Sequence, residues 1–157
     1  MEKKKKKSTK SYASQQADVS RVEETMTHYG TLSSSPVALL NSSKQGLNAK
    51  AALDFIVLSG FTYDEFQETF KTTVKTIQNY AVQDLKLDAP LSEKLLKSFA
   101  LFHKGAEVFG SVKAFTEWLN TSSVGLGNQI PFDLMDTITG IDLIEEELIR
   151  IAYGALS

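Results

Sequence analysis

Apolar residues recur at spacings of three and four from Leu47 to Ile151, and glycines, prolines and cap residues cut this rhythm into short lengths. Such spacing puts apolar groups on one face of a helix, whereas a half-buried strand needs strict alternation. No alternating run bounded by hairpin turns occurs, so the chain is expected to be all-α. Leu47, Ala51, Phe55 and Leu58 form the inner stripe of one helix, which Gly60 stops. Thr62-Tyr63-Asp64-Glu65 has the pattern of a capping box and starts a helix carrying Phe66 and Phe70. A second short helix follows at Thr73–Val82 with Val74, Ile77 and Ala81 inside, and two short helices across a tight turn suit a helix-turn-helix. Asp88-Ala89-Pro90 breaks the chain, and Ser92 is expected to cap a long helix whose Leu95, Phe99, Phe102, Ala106 and Phe109 share one stripe. Gly110 stops that helix, and Ser111 caps the next, in which Phe115, Trp118 and Leu119 share a face. Thr121–Gln129 reads as a loop, with Gly125 and Gly127 permitting positive φ on either side of Leu126. Pro131 opens a short helix with Leu134 and Met135, and Gly140 is expected to end it. The last helix has Ile141, Ile144, Leu148 and Ile151 inside, with Glu146 placed to pair with Arg150 four residues on.

A chain of 157 residues has room for one ordinary domain and a tail, and its nine phenylalanines give it large groups to bury. The absence of cysteine excludes disulfides and thiolate metal sites and fits a reducing cytoplasm. Ser, Thr, Tyr and Gln follow the Lys3–Lys7 run where a secretory signal would need an apolar stretch. The longest greasy run, Ala51–Phe61, is interrupted by Asp54 and is too short to span a bilayer, so a soluble protein with no membrane partner is expected. The net charge of -2 hides an asymmetry: six lysines and one glutamate give residues 1–10 a charge of +5, leaving -7 for the rest. Residues 1–35 are rich in Lys, Ser, Thr and Gln and are expected to form a disordered basic tail, with Val19, Val22 and Met26 allowing at most a short helix. Ser33-Ser34-Ser35-Pro36 then reads as a linker. Two folded parts follow, 36–88 with the helical pair and 89–157 with the remaining helices.

Reactive groups are sparse, and no catalytic residue, metal site or cofactor site is expected. His103 and Glu107 stand at i and i+4, but two ligands do not make a metal site. Asp133 suits the start of a short helix electrostatically, and Gly125-Leu126-Gly127 lacks the preceding strand and following lysine of a phosphate cradle. Nucleic-acid binding, if present, belongs to the second helix of the pair through Lys71, Thr72, Thr73, Lys75, Thr76, Gln78 and Asn79. Against it, the body is acidic and no arginine lies between Val22 and Ile149. The C-terminal surface is the third candidate. Leu126 has no periodic reason for burial and is expected as an exposed apolar tip, and Tyr153 is an amphipathic group of the kind enriched at interfaces.

Phe109-Gly110, Trp118-Leu119, Leu126-Gly127, Pro131, Leu134, Thr137, Gly140, Leu148, Arg150 and Gly154 together resemble the toxin-binding domain of Xre/MbcA/ParS-type antitoxins. Upstream, Leu39-Leu40, Gly46-Leu47, Gly60, Glu65-Phe66, Thr76 and Tyr80 look like that family's Xre-like region. The resemblance implies an Xre-like helix-turn-helix region followed by a small helical toxin-binding domain, assembled as a homodimer. It also implies a cognate RES-domain toxin whose active site this chain covers. Such toxins act on NAD, so NAD would be the partner's substrate and not a cofactor here. Toxin contact is then expected from Leu126, Gly127, Asn128, Ile130, Pro131, Arg150, Tyr153 and Gly154. Many such antitoxins repress their own operon. Here Lys75-Thr76-Ile77-Gln78-Asn79-Tyr80 replaces an arginine-bearing pattern of the type R-T-L-x-R-Y, and Asn128 stands where a second glycine is common. The alternative is a DNA-binding transcriptional regulator without a toxin partner.

Overall fold

A computed structural model describes residues 12–154, with side chains from residue 20 onward, as a helical chain. The helices are α1 (Tyr12–Leu32), α2 (Pro36–Gln45), α3 (Lys50–Ser59), α4 (Tyr63–Phe70), α5 (Val74–Val82), α6 (Ala89–Phe109), α7 (Val112–Leu119) and α8 (Ile138–Gly154). Two short 3-10 turns, η1 (Val124–Leu126) and η2 (Pro131–Leu134), lie between α7 and α8. The all-α expectation holds: among the described residues extended pairing is confined to two isolated bridges, Asn48 with Lys86 and Ser123 with Gln129.

Local chemistry sets most of the boundaries. Glu65 donates its N–H to the Thr62 hydroxyl at 3.1 Å and returns a carboxylate to the Thr62 N–H at 2.8 Å, completing the capping box of α4. Thr73 accepts the Thr76 N–H at 3.1 Å to start α5, and Ser111 accepts the Ala114 N–H at 3.0 Å to start α7. Gly60 and Gly110 end their helices in the left-handed region. Three boundaries differ from expectation. Ser35 caps α2 and Pro36 occupies its first turn, so Ser33–Pro36 is a helix start and not a linker. Asp88, not Ser92, caps α6 by accepting the Leu91 N–H at 2.9 Å. Ser92 is fully buried and accepts the Leu47 N–H at 2.9 Å, tying the α2–α3 connection to α6. Gly140 lies inside α8 and does not end the preceding turn.

The largest correction concerns the N-terminal segment, which was expected to be disordered through residue 35. The Lys3–Lys7 run lies outside the described residues, but Tyr12–Leu32 is one continuous helix. Its inner face carries Val22, Met26, Tyr29 and Leu32. Tyr29 is buried, stacks on Phe99 at 4.1 Å and donates its hydroxyl to Asp54 at 2.6 Å. Burial above all, then the bond to Asp54, raises the Tyr29 pKa above the ordinary tyrosine value. The segment is polar on average, yet a helix needs only one narrow stripe once a partner surface exists to receive it.

α6 runs through the centre and packs against α1, α2, α3, α7 and α8. Beside it, Phe55 of α3 meets Phe61, Phe70, Phe99 and Phe102 edge-to-face at centroid distances of 5.2–5.4 Å. Such contacts add stability beyond the area they bury. The buried residues form one apolar cluster that continues across the 88/89 division, from Met26 on α1 to Leu148 on α8.

Candidate functional site

The C-terminal surface is built on the segment between α7 and α8. Ser123 donates its N–H to the Gln129 carbonyl at 2.9 Å, and Asn128 donates back to the Ser123 carbonyl at 2.8 Å, closing the loop on itself. Gly127 and Asn128 both have positive φ, 67° and 63°. Asparagine is among the few residues besides glycine that adopt this conformation readily, which accounts for Asn128 at a position where glycine would also serve. Within the loop, η1 turns three residues per revolution, so Val124 and Leu126 cannot face the same way. Val124 is 85% exposed and Leu126 only 7%. The expectation that Leu126 is an exposed tip is therefore corrected: it is part of the core cluster, and η1 is seated on α8. Pro131 is also buried, whereas Gly127, Asn128, Ile130, Arg150, Tyr153 and Gly154 are on the surface. Sequence reasoning missed the exposure of Val124, because the loop composition does not reveal the tight turn that separates it from Leu126.

The Arg150 pairing also differs from expectation. Its partner is Glu147, three residues before it, and not Glu146; Glu147 Oε2 accepts from both Nε and Nη2 at 2.7 Å. The exposed apolar groups of this region are Val124, Ile130, Leu143, Ile149 and Tyr153, with Arg150 among them. Exposed apolar groups interspersed with an arginine, a tyrosine and the exposed Glu145 and Glu146 give this region aromatic and arginine groups of the kind enriched at protein interfaces.

Burial of Leu126 changes what its substitution should do. Leu126→Ala is expected to cost about 2–3 kcal/mol of stability, and Leu126→Asp more, because a charge would be placed in the core. Thermal melting followed by circular dichroism measures this; an unchanged melting temperature would return Leu126 to the surface.

The α4–α5 pair forms a second surface. Lys71 ends α4 in the left-handed region at φ 56°, and its ammonium lies 3.8 Å from Asp136. Thr73 and Thr76 share a hydroxyl–hydroxyl bond at 2.9 Å. Lys75, Thr76, Gln78 and Asn79 are exposed along α5, Lys71 and Thr73 are exposed just before it, and Thr72 is half-buried. Around them, residues 62–88 hold five acids (Asp64, Glu65, Glu68, Asp84, Asp88) against three lysines (Lys71, Lys75, Lys86). Lys94 reaches from α6 to the carbonyls of Thr69 and Asp136, bracing the end of α4 against the segment before α8. Burial lowers its pKa, with Asp136 opposing and Lys71 adding to the shift. A groove of about 590 Å³ lies between α5 and the start of α6, lined by Thr72, Thr76, Tyr80, Lys86, Leu91 and Lys94 among others.

The remaining candidates hold no reactive arrangement. His103 and Glu107 are 3.9 Å apart, both well exposed. Among the described residues no group of three or more His, Asp or Glu could hold a metal ion, and no helix is long and apolar enough to cross a membrane.

No curated protein matches the chain. A family model does: residues 104–154, from the second half of α6 to the end of α8, match the antitoxin Xre/MbcA/ParS C-terminal toxin-binding domain. The match covers the loop, both 3-10 turns and the arginine-bearing helix that together form the C-terminal surface. Over residues 104–154 this chain is therefore similar to the Xre/MbcA/ParS toxin-binding domain family.

Proposed function

We propose that this chain is a cytoplasmic antitoxin of a type II toxin-antitoxin system, acting as a homodimer on a RES-class toxin that consumes NAD. In this reading residues 36–88 are the Xre-like helix-turn-helix region and 89–157 the toxin-binding domain. Neutralisation is steric. The surface formed by Val124, Gly127, Asn128, Ile130, Arg150, Tyr153 and Gly154 covers the toxin's active site, with Leu126 and Pro131 holding the loop from beneath. The observation that carries the reading is the coincidence of the toxin-binding family match with the exposed Val124, Ile130, Ile149, Arg150 and Tyr153 in the matched segment. The chain itself performs no chemistry and needs no cofactor.

Repression of its own operon is the secondary activity, through Lys71, Thr72, Thr73, Lys75, Thr76, Gln78 and Asn79. The exposure of Gln78 and Asn79 on a capped helix favours it, since both side chains can read adenine edges. The few lysines make any such binding strongly salt-dependent. The test of the primary function is co-expression with the neighbouring toxin gene. Growth restored by this chain supports the proposal. Continued growth arrest overturns it and leaves the DNA-binding regulator as the better reading.

A further inference from the structure

Glu147 is the only charged side chain in the buried set of the described residues, 7% exposed, on a helix whose neighbouring Glu145 and Glu146 are open to solvent. Its surroundings are specific. On one side its Oε2 accepts both Nε and Nη2 of Arg150 at 2.7 Å. On the other, the carboxylate fills the space where Gly125 has no side chain; a Cβ on Gly125 would stand 2.0 Å from Oε1. One carboxylate thus touches both halves of the C-terminal surface, the η1 turn with its exposed Val124 and the helix with Arg150. A buried carboxylate is costly unless paired, and here the single oxygen Oε2 holds two nitrogens of one guanidinium, which restricts its orientation.

We infer that Glu147 is the positioning residue of the toxin-facing surface: it locks the Arg150 guanidinium against the η1 turn so that its remaining N–H donors meet a neutral carbonyl acceptor on the toxin. The inference rests on the toxin-binding reading. Two of the guanidinium's five N–H donors are taken by Glu147, which leaves three for a partner. Glu147 already balances the charge of Arg150, and exposed Glu145 and Glu146 repel a carboxylate arriving from outside. A backbone or amide carbonyl is the acceptor that fits. Orientation set in advance removes the rotamer entropy that a free arginine would lose on binding.

The test is a double-mutant cycle with the purified toxin from the neighbouring gene, using the full chain, Glu147→Gln, Arg150→Ala and the double variant. Each single change is expected to weaken binding by ~10-fold or more, and the double variant should bind no worse than Arg150→Ala alone. If Glu147→Gln leaves the affinity unchanged, or weakens binding equally in the Arg150→Ala background, the positioning role is overturned, the second pattern marking a merely structural residue. A companion measurement needs no toxin. The Arg150 Nε–H proton should exchange slowly with solvent in the unmodified chain and fast in Glu147→Gln. Fast exchange in the unmodified chain overturns the clamp. A protected Nε–H in a chain that fails to bind the toxin overturns the toxin-binding reading instead.

Discussion

Gly140→Ala is expected to destabilise the protein by about 3 kcal/mol, although alanine is by far the better helix former. Gly140 sits in the first turn of α8, where the Thr137 hydroxyl accepts its N–H at 2.9 Å. A Cβ at this position would stand 1.7 Å from the Leu134 carbonyl oxygen and 2.7 Å from its carbon. Those atoms are backbone of η2 and cannot rotate away as a side-chain tip would. Accommodating alanine means lifting η2 off α8, and with it the packing of Phe132 and Leu134 on the core. Propensity alone predicts a gain of ~1 kcal/mol, so the two effects differ in sign and the measurement separates them. A fall in melting temperature of roughly 10 °C is expected for a chain of this size. A melting temperature equal to or above that of the unmodified chain would show that η2 does not rest on the α8 backbone.

The second large effect concerns function without stability. Val124→Asp combined with Tyr153→Ala is expected to abolish protection against the toxin, weakening the complex by ~100-fold or more, while the helical spectrum and melting temperature stay near those of the unmodified chain. Val124 is 85% and Tyr153 71% exposed, so neither contributes appreciably to the core. Both flank the Glu147–Arg150 pair, Val124 through the η1 turn seated on Glu147 and Tyr153 one helical turn beyond Arg150. A charge at the centre of an apolar contact and the loss of an aromatic anchor remove what such interfaces draw most energy from. Full protection by the folded double variant would place the interface elsewhere on the chain.

Where the sequence was readable, the determining chemistry lay within four residues. The Thr62–Glu65 capping box, the Ser111 cap and the stops at Gly60 and Gly110 are local devices, and each stands where its residues put it. Several misreadings have a different cause: they depended on a partner distant in sequence. Tyr12–Leu32 looks like solvated chain until Phe99 and Asp54 are brought to Tyr29. Ser92 and Asp88 are both competent caps, and only the approach of the Leu47 N–H assigns Ser92 to the interior. Gly140 could end a helix or allow close approach, and the Leu134 carbonyl decides for the second. Glu146 and Glu147 are both within reach of Arg150 along a helix, and the vacant side of Gly125 selects Glu147. The candidate site was legible as a region, through its spaced glycines, proline and arginine, but which of its apolar residues face outward was not. Burial of Leu126 and exposure of Val124 follow from the tightness of a turn that the loop composition does not reveal.

The most direct test of the account is enzymatic. The purified chain is titrated into the purified RES-class toxin of the proposed pair, and NAD consumption is followed. Stoichiometric loss of NAD turnover, reversed by Val124→Asp with Tyr153→Ala, is the predicted result. NAD turnover that continues undiminished in excess of the unmodified, folded chain would contradict the proposal that residues 104–154 silence this toxin.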